Sequence, residues 1–290
     1  MVIKNIVLSG GGYFGLYQLG VLKYLNEVNF YNIKNIKSIY STSVGSIIGA
    51  MLLLKIPIND IIDYIVKKPW HKYITLEASN IIDIYYNRGI LDKSFFTTIL
   101  EPLLKSVELS ISTTMKEFYD YTNVKLCICV YNLDKNKYEI LDFIKNPELL
   151  LMDAIYMSCC IPYVFQPVKY NNCYYIDGGI ENNYAVKDCI ENEETDKNEI
   201  LGISVHSNQK NSLEEENILN YSMFMIRQLI KRISNQTPIL GINEVIIPSS
   251  EFSLVTLMNT IKEKEQRQSF IETGYNYAQV FYHSNQAKNE

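Results

Sequence analysis

Apolar residues along the chain fall into short runs and helical stripes that alternate. Residues 5–9, NIVLS, make a brief apolar run that ends at three glycines. From 15 to 28 the positions Leu16, Leu19, Val21, Leu22 and Leu25 repeat at the spacing of one helix face. Residues 36–41 (IKSIYS) read as a strand, and 46–55 (SIIGAMLLLK) as a wholly apolar, buried helix. Asp92 can cap a helix over 93–104. Residues 124–133 and 137–143 read as paired strands joined by Asp134-Lys135-Asn136. A helix is expected over 147–159, with Pro147 in its first turn. Beyond it come strands near 173–177, 199–206 and 244–248, and helices near 214–234 and 255–283.

This alternation predicts an α/β fold, a mostly parallel central sheet with helices on both faces. No repeat or linker divides the 290 residues, so one domain over 1–290 is expected, near the upper size for a single core. The charged stretch 191–199 (ENEETDKNE) reads as a solvated loop. The formal net charge is -5 and no basic block stands out, which argues against a nucleic-acid partner. The cysteines are Cys127, Cys129, Cys159, Cys160, Cys173 and Cys189, with no Cys-x-x-Cys pair. Their apolar settings predict reduced thiols in a reducing, cytoplasmic compartment, with Cys127 and Cys129 on one strand face. The longest apolar run, IIGAMLLLKIPI, is broken by Lys55 and Pro57 and falls short of the ~20 residues a bilayer crossing needs. With no signal peptide before the first strand, the expectation is a soluble protein or one bound at a membrane surface.

Three stretches can carry chemistry. In STSVG (41–45), a strand turns sharply around Ser43 into a helix, as in a G-x-S-x-G nucleophile elbow whose first glycine is here Ser41 and whose second is Gly45. An ordinary strand-to-helix turn reads the same way. In SGGGYFG (9–15), successive glycines at a helix N-terminus can aim backbone N–H groups at a phosphate or an oxyanion. The same residues, Gly10, Gly12 and Gly15, fit a dinucleotide fingerprint, although residues 29–35 offer no acidic partner for a ribose. In YYIDGGIENNY (174–184), Asp177 is either a turn aspartate or a base held at a strand end. His206, ending LGISVH, is the histidine placed to complete a triad; His71 sits between elements and His283 near the C-terminus.

In this order the stretches resemble the patatin-like phospholipases, serine lipid acyl hydrolases that use a Ser-Asp dyad. LSGGGYFGLYQLGVLKYL resembles their glycine loop and first helix, STSVGSIIGA their elbow, AIYMSCCIPYVFQPV (154–168) the intervening stretch, YYIDGGIENNYAV their Asp-Gly-Gly motif, and TGYNYAQVFYH (273–283) the closing helix. The resemblance runs from about residue 4 to 283. It implies a patatin-like layered fold, Ser43 as nucleophile, Asp177 as proton acceptor, and an oxyanion hole from Gly10, Gly11 and Gly12. Gly15, Ser41, Gly45, Gly178 and Gly179 fall on its motif positions. It implies phospholipase A-type cleavage of fatty acyl esters of a glycerolipid or phospholipid, at a membrane surface, with no metal or organic cofactor. Two places depart from the pattern: Tyr13 and Phe14 stand where members often carry Arg or Lys, and Ser41 replaces the first elbow glycine. The rival readings are a catalytically weak or inactive lipid-binding relative and a nucleotide-binding Rossmann enzyme. A lipid-facing helix is expected over 214–234, where Met223, Phe224, Met225, Ile226, Leu229 and Ile230 form a broad apolar band beside Arg227, Lys231 and Arg232; a core helix is the plain alternative.

Overall fold

In the computed structural model, residues 2–74, 86–207, 240–249 and 253–287 are described, together with Tyr221, Phe224, Met225 and Gln228. The strands are β1 (Asn5–Leu8), β2 (Ser38–Thr42), β3 (Gly89–Leu91), β4 (Lys125–Asn132), β5 (Lys137–Leu141), β6 (Tyr163–Phe165), β7 (Val168–Tyr170), β8 (Cys173–Asp177), β9 (Ile200–Ser207) and β10 (Asn243–Ser249). The central sheet runs β10-β9-β1-β2-β4-β8-β7, with β5 also on β4. Pairing is parallel from β10 through β4 and antiparallel among β4, β5, β7 and β8. β3 and β6 form a separate parallel pair. Every residue of β1 and β2 is buried, as expected of parallel strands covered on both faces.

The helices are α1 (Gly15–Glu27), α2 (Val44–Leu53), α3 (Ile58–Lys67), α4 (Ser94–Ser106), α5 (Met115–Thr122), α6 (Leu151–Cys159), α7 (Val186–Glu193), α8 (Leu254–Lys262) and α9 (Lys264–Gln286). The two faces are covered unequally. The main core joins α1 to α6 to one side of the sheet. The other side holds a small cluster of Val7, Tyr40, Cys127, Cys129 and Cys189, closed by α7 and the β5 side chains Tyr138 and Ile140. Cys127 and Cys129 thus share a face, and all six cysteines are free.

One pairing pattern positions the site. β4 meets β2 over Lys125–Cys129, β8 over Val130–Asn132, and β5 over Ile128–Asn132. A strand has only two edges, and β5 overlaps both other partners. β2 and β8 therefore lie end to end on the same edge of β4. Thr42 pairs with Cys129 and Asp177 with Val130, so the two carboxyl ends meet head to head.

Several expectations change. Pro147 lies outside the helix, which starts at Leu151; Pro147 O instead accepts the Lys116 N–H at 3.1 Å, and Leu150 bridges Thr114. The final helix is two, because Glu263 is extended (φ -102°, ψ 117°). The stretch 191–199 is tied down at two points: Tyr40 donates to Glu193 at 2.8 Å, Lys125 pairs with Glu193, and Lys4 pairs with Glu199. Asp92 behaves as expected, its Oδ1 accepting the Ser94 N–H at 2.9 Å. The helix expected over 214–234 lies outside the described residues, apart from the four named above.

The 23-residue α9 crosses α1 at two glycines. A Cβ on Gly20 would strike Ile271 O, and one on Gly274 would strike Tyr17 O. Both obstacles are backbone, so neither can move aside locally. Gly274→Ala is expected to destabilise the fold by about 1–3 kcal/mol through overpacking. Thermal unfolding would register this as a clear drop in Tm; an unchanged Tm would mean the crossing is looser than described.

Candidate active site

Ser43, between β2 and α2, has φ 54° and ψ -129°, a backbone region that costs an L-residue about 1–3 kcal/mol. Several bonds hold it there. Ser43 N–H donates to Ser158 Oγ at 2.8 Å, and Ser158 Oγ donates on to Cys129 O at 2.6 Å. Ser46 N–H and Ser46 Oγ both donate to Ser43 O, at 2.8 and 2.6 Å. Gly45 lets α2 pass close to β1, since a Cβ would sit 2.6 Å from Leu8 O. Ser41 is fully buried and its Oγ donates to Cys127 O at 3.0 Å, so the hydroxyl that replaces a glycine has an acceptor. The first turn of α2 brings its positive end to the Ser43 side chain.

The glycine loop is fixed just before the residues that stay open. Ser9 O accepts from Gln18 Nε2 at 2.8 Å, and Ser9 Oγ donates to Gly10 O and accepts the Val205 N–H. Gly10 is gripped by Asn183: its N–H donates to Asn183 O at 3.1 Å, and Asn183 Nδ2 reaches Gly10 O at 3.4 Å. The Gly10 N–H is therefore spent, which corrects the expectation that Gly10 serves as an oxyanion donor. Among the described residues no backbone acceptor takes the N–H of Gly11 or Gly12, and Gly12 has φ 58°. Gly15 lets the start of α1 pack on Val44 of α2, since a Cβ there would sit 2.4 Å from the Val44 side chain.

Asp177 is 6% exposed and turns directly into Gly178 and Gly179. Its N–H donates to Cys160 O at 3.0 Å, and its Oδ1 accepts the Gly179 N–H at 2.8 Å. Burial pushes its carboxyl up to about 6, against the smaller opposing pull of hydrogen bonds from the Ser43 hydroxyl and the Gly179 N–H. A Cβ on Gly178 would collide with Cys129 O, so this loop, too, closes on β4. Thr42 Oγ1 donates to Asn182 O at 3.2 Å, tying the Asp177 loop to the strand that carries Ser43.

A cavity of about 150 Å³ opens beside Ser43 and Gly12. Its wall is almost wholly apolar and includes Leu16, Ile47, Trp70, Phe95, Phe165 and Ile261. Tyr13 and Phe14, which stand where a cation was considered, are buried and pack on Phe270 at 5.8 and 6.3 Å between ring centroids. His206 is exposed on β9, with β1 between it and β2. The structure thus gathers Ser43, Asp177, Gly11 and Gly12 at the carboxyl ends of β1, β2 and β8, with Ser41, Gly45, Gly178 and Gly179 behind them, and leaves His206 outside. The sequence reading missed Ser158, Gln18 and Asn183; all three lay inside stretches already singled out, but no role was read for them there.

Comparison with known proteins bears on the family and the fold. The profile of the patatin-like phospholipase family matches residues 6–190. A protein named "Probable lipid hydrolase 463L" of Invertebrate iridescent virus 6 is 29% identical over 263 residues, covering 90% of this chain and 87% of its own. "Uncharacterized protein R571" of Acanthamoeba polyphaga mimivirus is 25% identical over 287 residues, covering 91% and 89%. Among solved structures, VipD from Legionella pneumophila superposes with a TM-score of 0.56 at 16% identity, covering 98% of this chain and 67% of that one, a likeness of fold. The family profile spans well over half of the chain, and the chain belongs to the patatin-like phospholipases.

Proposed function

We propose that the protein hydrolyses fatty acyl esters of glycerolipids in the manner of a phospholipase A, through Ser43 and Asp177. The observation that carries this reading is the head-to-head meeting of β2 and β8, which sets a hydroxyl on a strained turn beside a buried carboxylate at the mouth of an apolar cavity. Membership of the family and the lipid hydrolase named among its relatives support the same substrate class.

Ser43 Oγ attacks the ester carbonyl as its proton passes to Asp177. The oxyanion that forms is held by the N–H groups of Gly11 and Gly12, where one such donor contributes about 3 kcal/mol to the transition state. The C–O bond to the glycerolipid breaks, the alcohol leaves with the proton from Asp177, and the acyl group stays on Ser43. Water then attacks the acyl-enzyme as Asp177 takes its proton, the bond from the acyl carbon to Ser43 Oγ breaks, Asp177 returns the proton to Ser43 Oγ, and the fatty acid departs. The acyl tail lies in the apolar cavity meanwhile.

Ser43→Ala and Asp177→Asn should each lower kcat on a long-chain ester about a thousandfold or more, and the double variant should be little worse, because the pair acts as a unit. His206→Ala should retain nearly full activity. Loss on His206→Ala equal to that on Ser43→Ala would replace the dyad by a triad. A wild-type protein that binds lipid yet turns over no ester would favour the inactive relative.

Asp177 must be ionised to accept a proton, so kcat/KM should fall as pH drops through about 6. Stability should run the other way. The folded carboxyl is raised from the usual 3.8 to about 6, so the fold holds its proton more tightly than the unfolded chain does. Ionising Asp177 therefore costs stability as pH rises across that window. Asp177→Asn removes the cost and should be more stable than wild type at pH 8, by about 3 kcal/mol at most, from roughly two pH units at ~1.4 kcal/mol each. The difference should vanish below about pH 4; denaturant titrations at the two pH values would show a constant difference if burial is not its origin.

Ser41→Gly should leave activity unchanged or modestly raised. Ser41→Val removes the bond to Cys127 O, overpacks the elbow at a cost of about 1–3 kcal/mol, and should nearly abolish turnover. A fully active Ser41→Val would mean that the turn around Ser43 is not tight.

A further inference from the structure

Arg267, in the first turn of α9, is 3% exposed. An ionised group buried this deeply needs compensation. Among the described residues no ion pair supplies it. The guanidinium instead holds four backbone carbonyls. Nη1 donates to Thr260 O and Ile261 O at 2.8 and 3.0 Å, and Nη2 donates to Val66 O and Lys68 O at 2.8 and 3.1 Å. These carbonyls close the carboxyl ends of α8 and α3, where helices leave acceptors unpaired and their dipoles favour a cation.

Both ends belong to the cavity wall. The chain around the end of α3 contributes Ile65, Trp70 and Ile74, and α8 contributes Leu257, Thr260 and Ile261. Among the described residues no other hydrogen bond joins these two segments to each other. Neither segment carries Ser43, Asp177 or a glycine-loop residue. Loosening their carboxyl ends would change the cavity first; α8 touches the glycine loop at its opposite end, where Ser253 N–H donates to Tyr13 OH at 3.2 Å. The cavity lines α2 from Ser43 to Met51, which at 1.5 Å per residue is about 12 Å. A short acyl group fills only the start of that length.

We propose that Arg267 is the positioning residue that gives this protein its preference for long acyl chains, by clamping the α3 and α8 walls of the cavity together; this rests on the ester hydrolysis argued above. The planar fork is essential to the clamp. Lysine keeps the charge but offers a single nitrogen, which cannot reach two separated pairs of carbonyls.

The test compares p-nitrophenyl palmitate with p-nitrophenyl butyrate. In Arg267→Lys, the ratio of kcat/KM for palmitate over butyrate should fall about tenfold or more, with butyrate within about twofold of wild type. Gly274→Ala, destabilised at the α1–α9 crossing, serves as control and should leave the ratio unchanged. Equal losses on both esters in Arg267→Lys, or no change in their ratio, would overturn the proposal. A second readout needs no turnover. Trp70 is the one tryptophan of the chain, is 4% exposed and faces the cavity, so a dibrominated stearate bound there should quench its emission. Quenching should require about tenfold more dibromostearate in Arg267→Lys; an identical titration would overturn the clamp. If wild type hydrolyses neither ester, the hydrolase reading fails, and the quenching comparison still decides the role of Arg267. Should Arg267→Lys not fold, the guanidinium nitrogen signals of Arg267 in the wild-type protein should shift when stearate binds, and signals that stay in place would refute the proposal.

Discussion

The site depends on how the edge of one strand is shared. β4 accepts β2 along the first part of one edge and β8 along the rest, with the changeover between Cys129 and Val130. A parallel and an antiparallel neighbour placed end to end must meet at their carboxyl ends. The serine that follows β2 and the aspartate that ends β8 are brought together by backbone pairing, independent of their own side chains. The carbonyl of Cys129 sits at that junction, capped by Ser158 Oγ on one side and pressed against by Gly178 on the other.

This junction makes the site rigid and costly together. Ser43 occupies a backbone region that its surroundings must enforce, and Asp177 carries a charge that burial opposes. The fold offsets these terms locally: Ser158 and Ser46 fix the serine backbone, while Gln18, Ser9 and Asn183 freeze the loop up to Gly10. With the Gly10 N–H bonded to Asn183 O, the N–H groups of Gly11 and Gly12 are the ones that take no backbone acceptor among the described residues. The proposed oxyanion site there would be preorganised and need no rearrangement when charge develops.

Much of the fold was legible because its signals are local. Periodicity marked α1 and the central strands, and Cys127 and Cys129 fell on one face as their spacing required. Ser43, Asp177 and the glycines stood out through small residues at strand ends, and the family resemblance joined them. Local signals failed where long-range contacts decide. Apolar periodicity runs on through Glu263, yet the chain breaks there, next to the Arg267 fork that grips the end of α8. Pro147 resembles a helix start, but a bridge between Leu150 and Thr114 delays the helix to Leu151. Ser158, Asn183 and Arg267 act on partners 115, 173 and 201 positions away, so their roles could not be read locally even where, as with Ser158 and Asn183, the surrounding stretch had been singled out. The inferred loss of a cation at Tyr13 and Phe14 likewise has a packing meaning that the sequence hid, since these rings anchor the start of α9 through Phe270.

The central claim is that Asp177 activates Ser43. Fluorophosphonates react with serine hydroxyls made nucleophilic by a neighbouring base. Mass spectrometry of the treated protein should therefore find one adduct, on the peptide carrying Ser43, and Asp177→Asn should form it far more slowly while remaining folded. An adduct elsewhere, none on Ser43, or labelling of Ser43 at the same rate in Asp177→Asn would contradict the account.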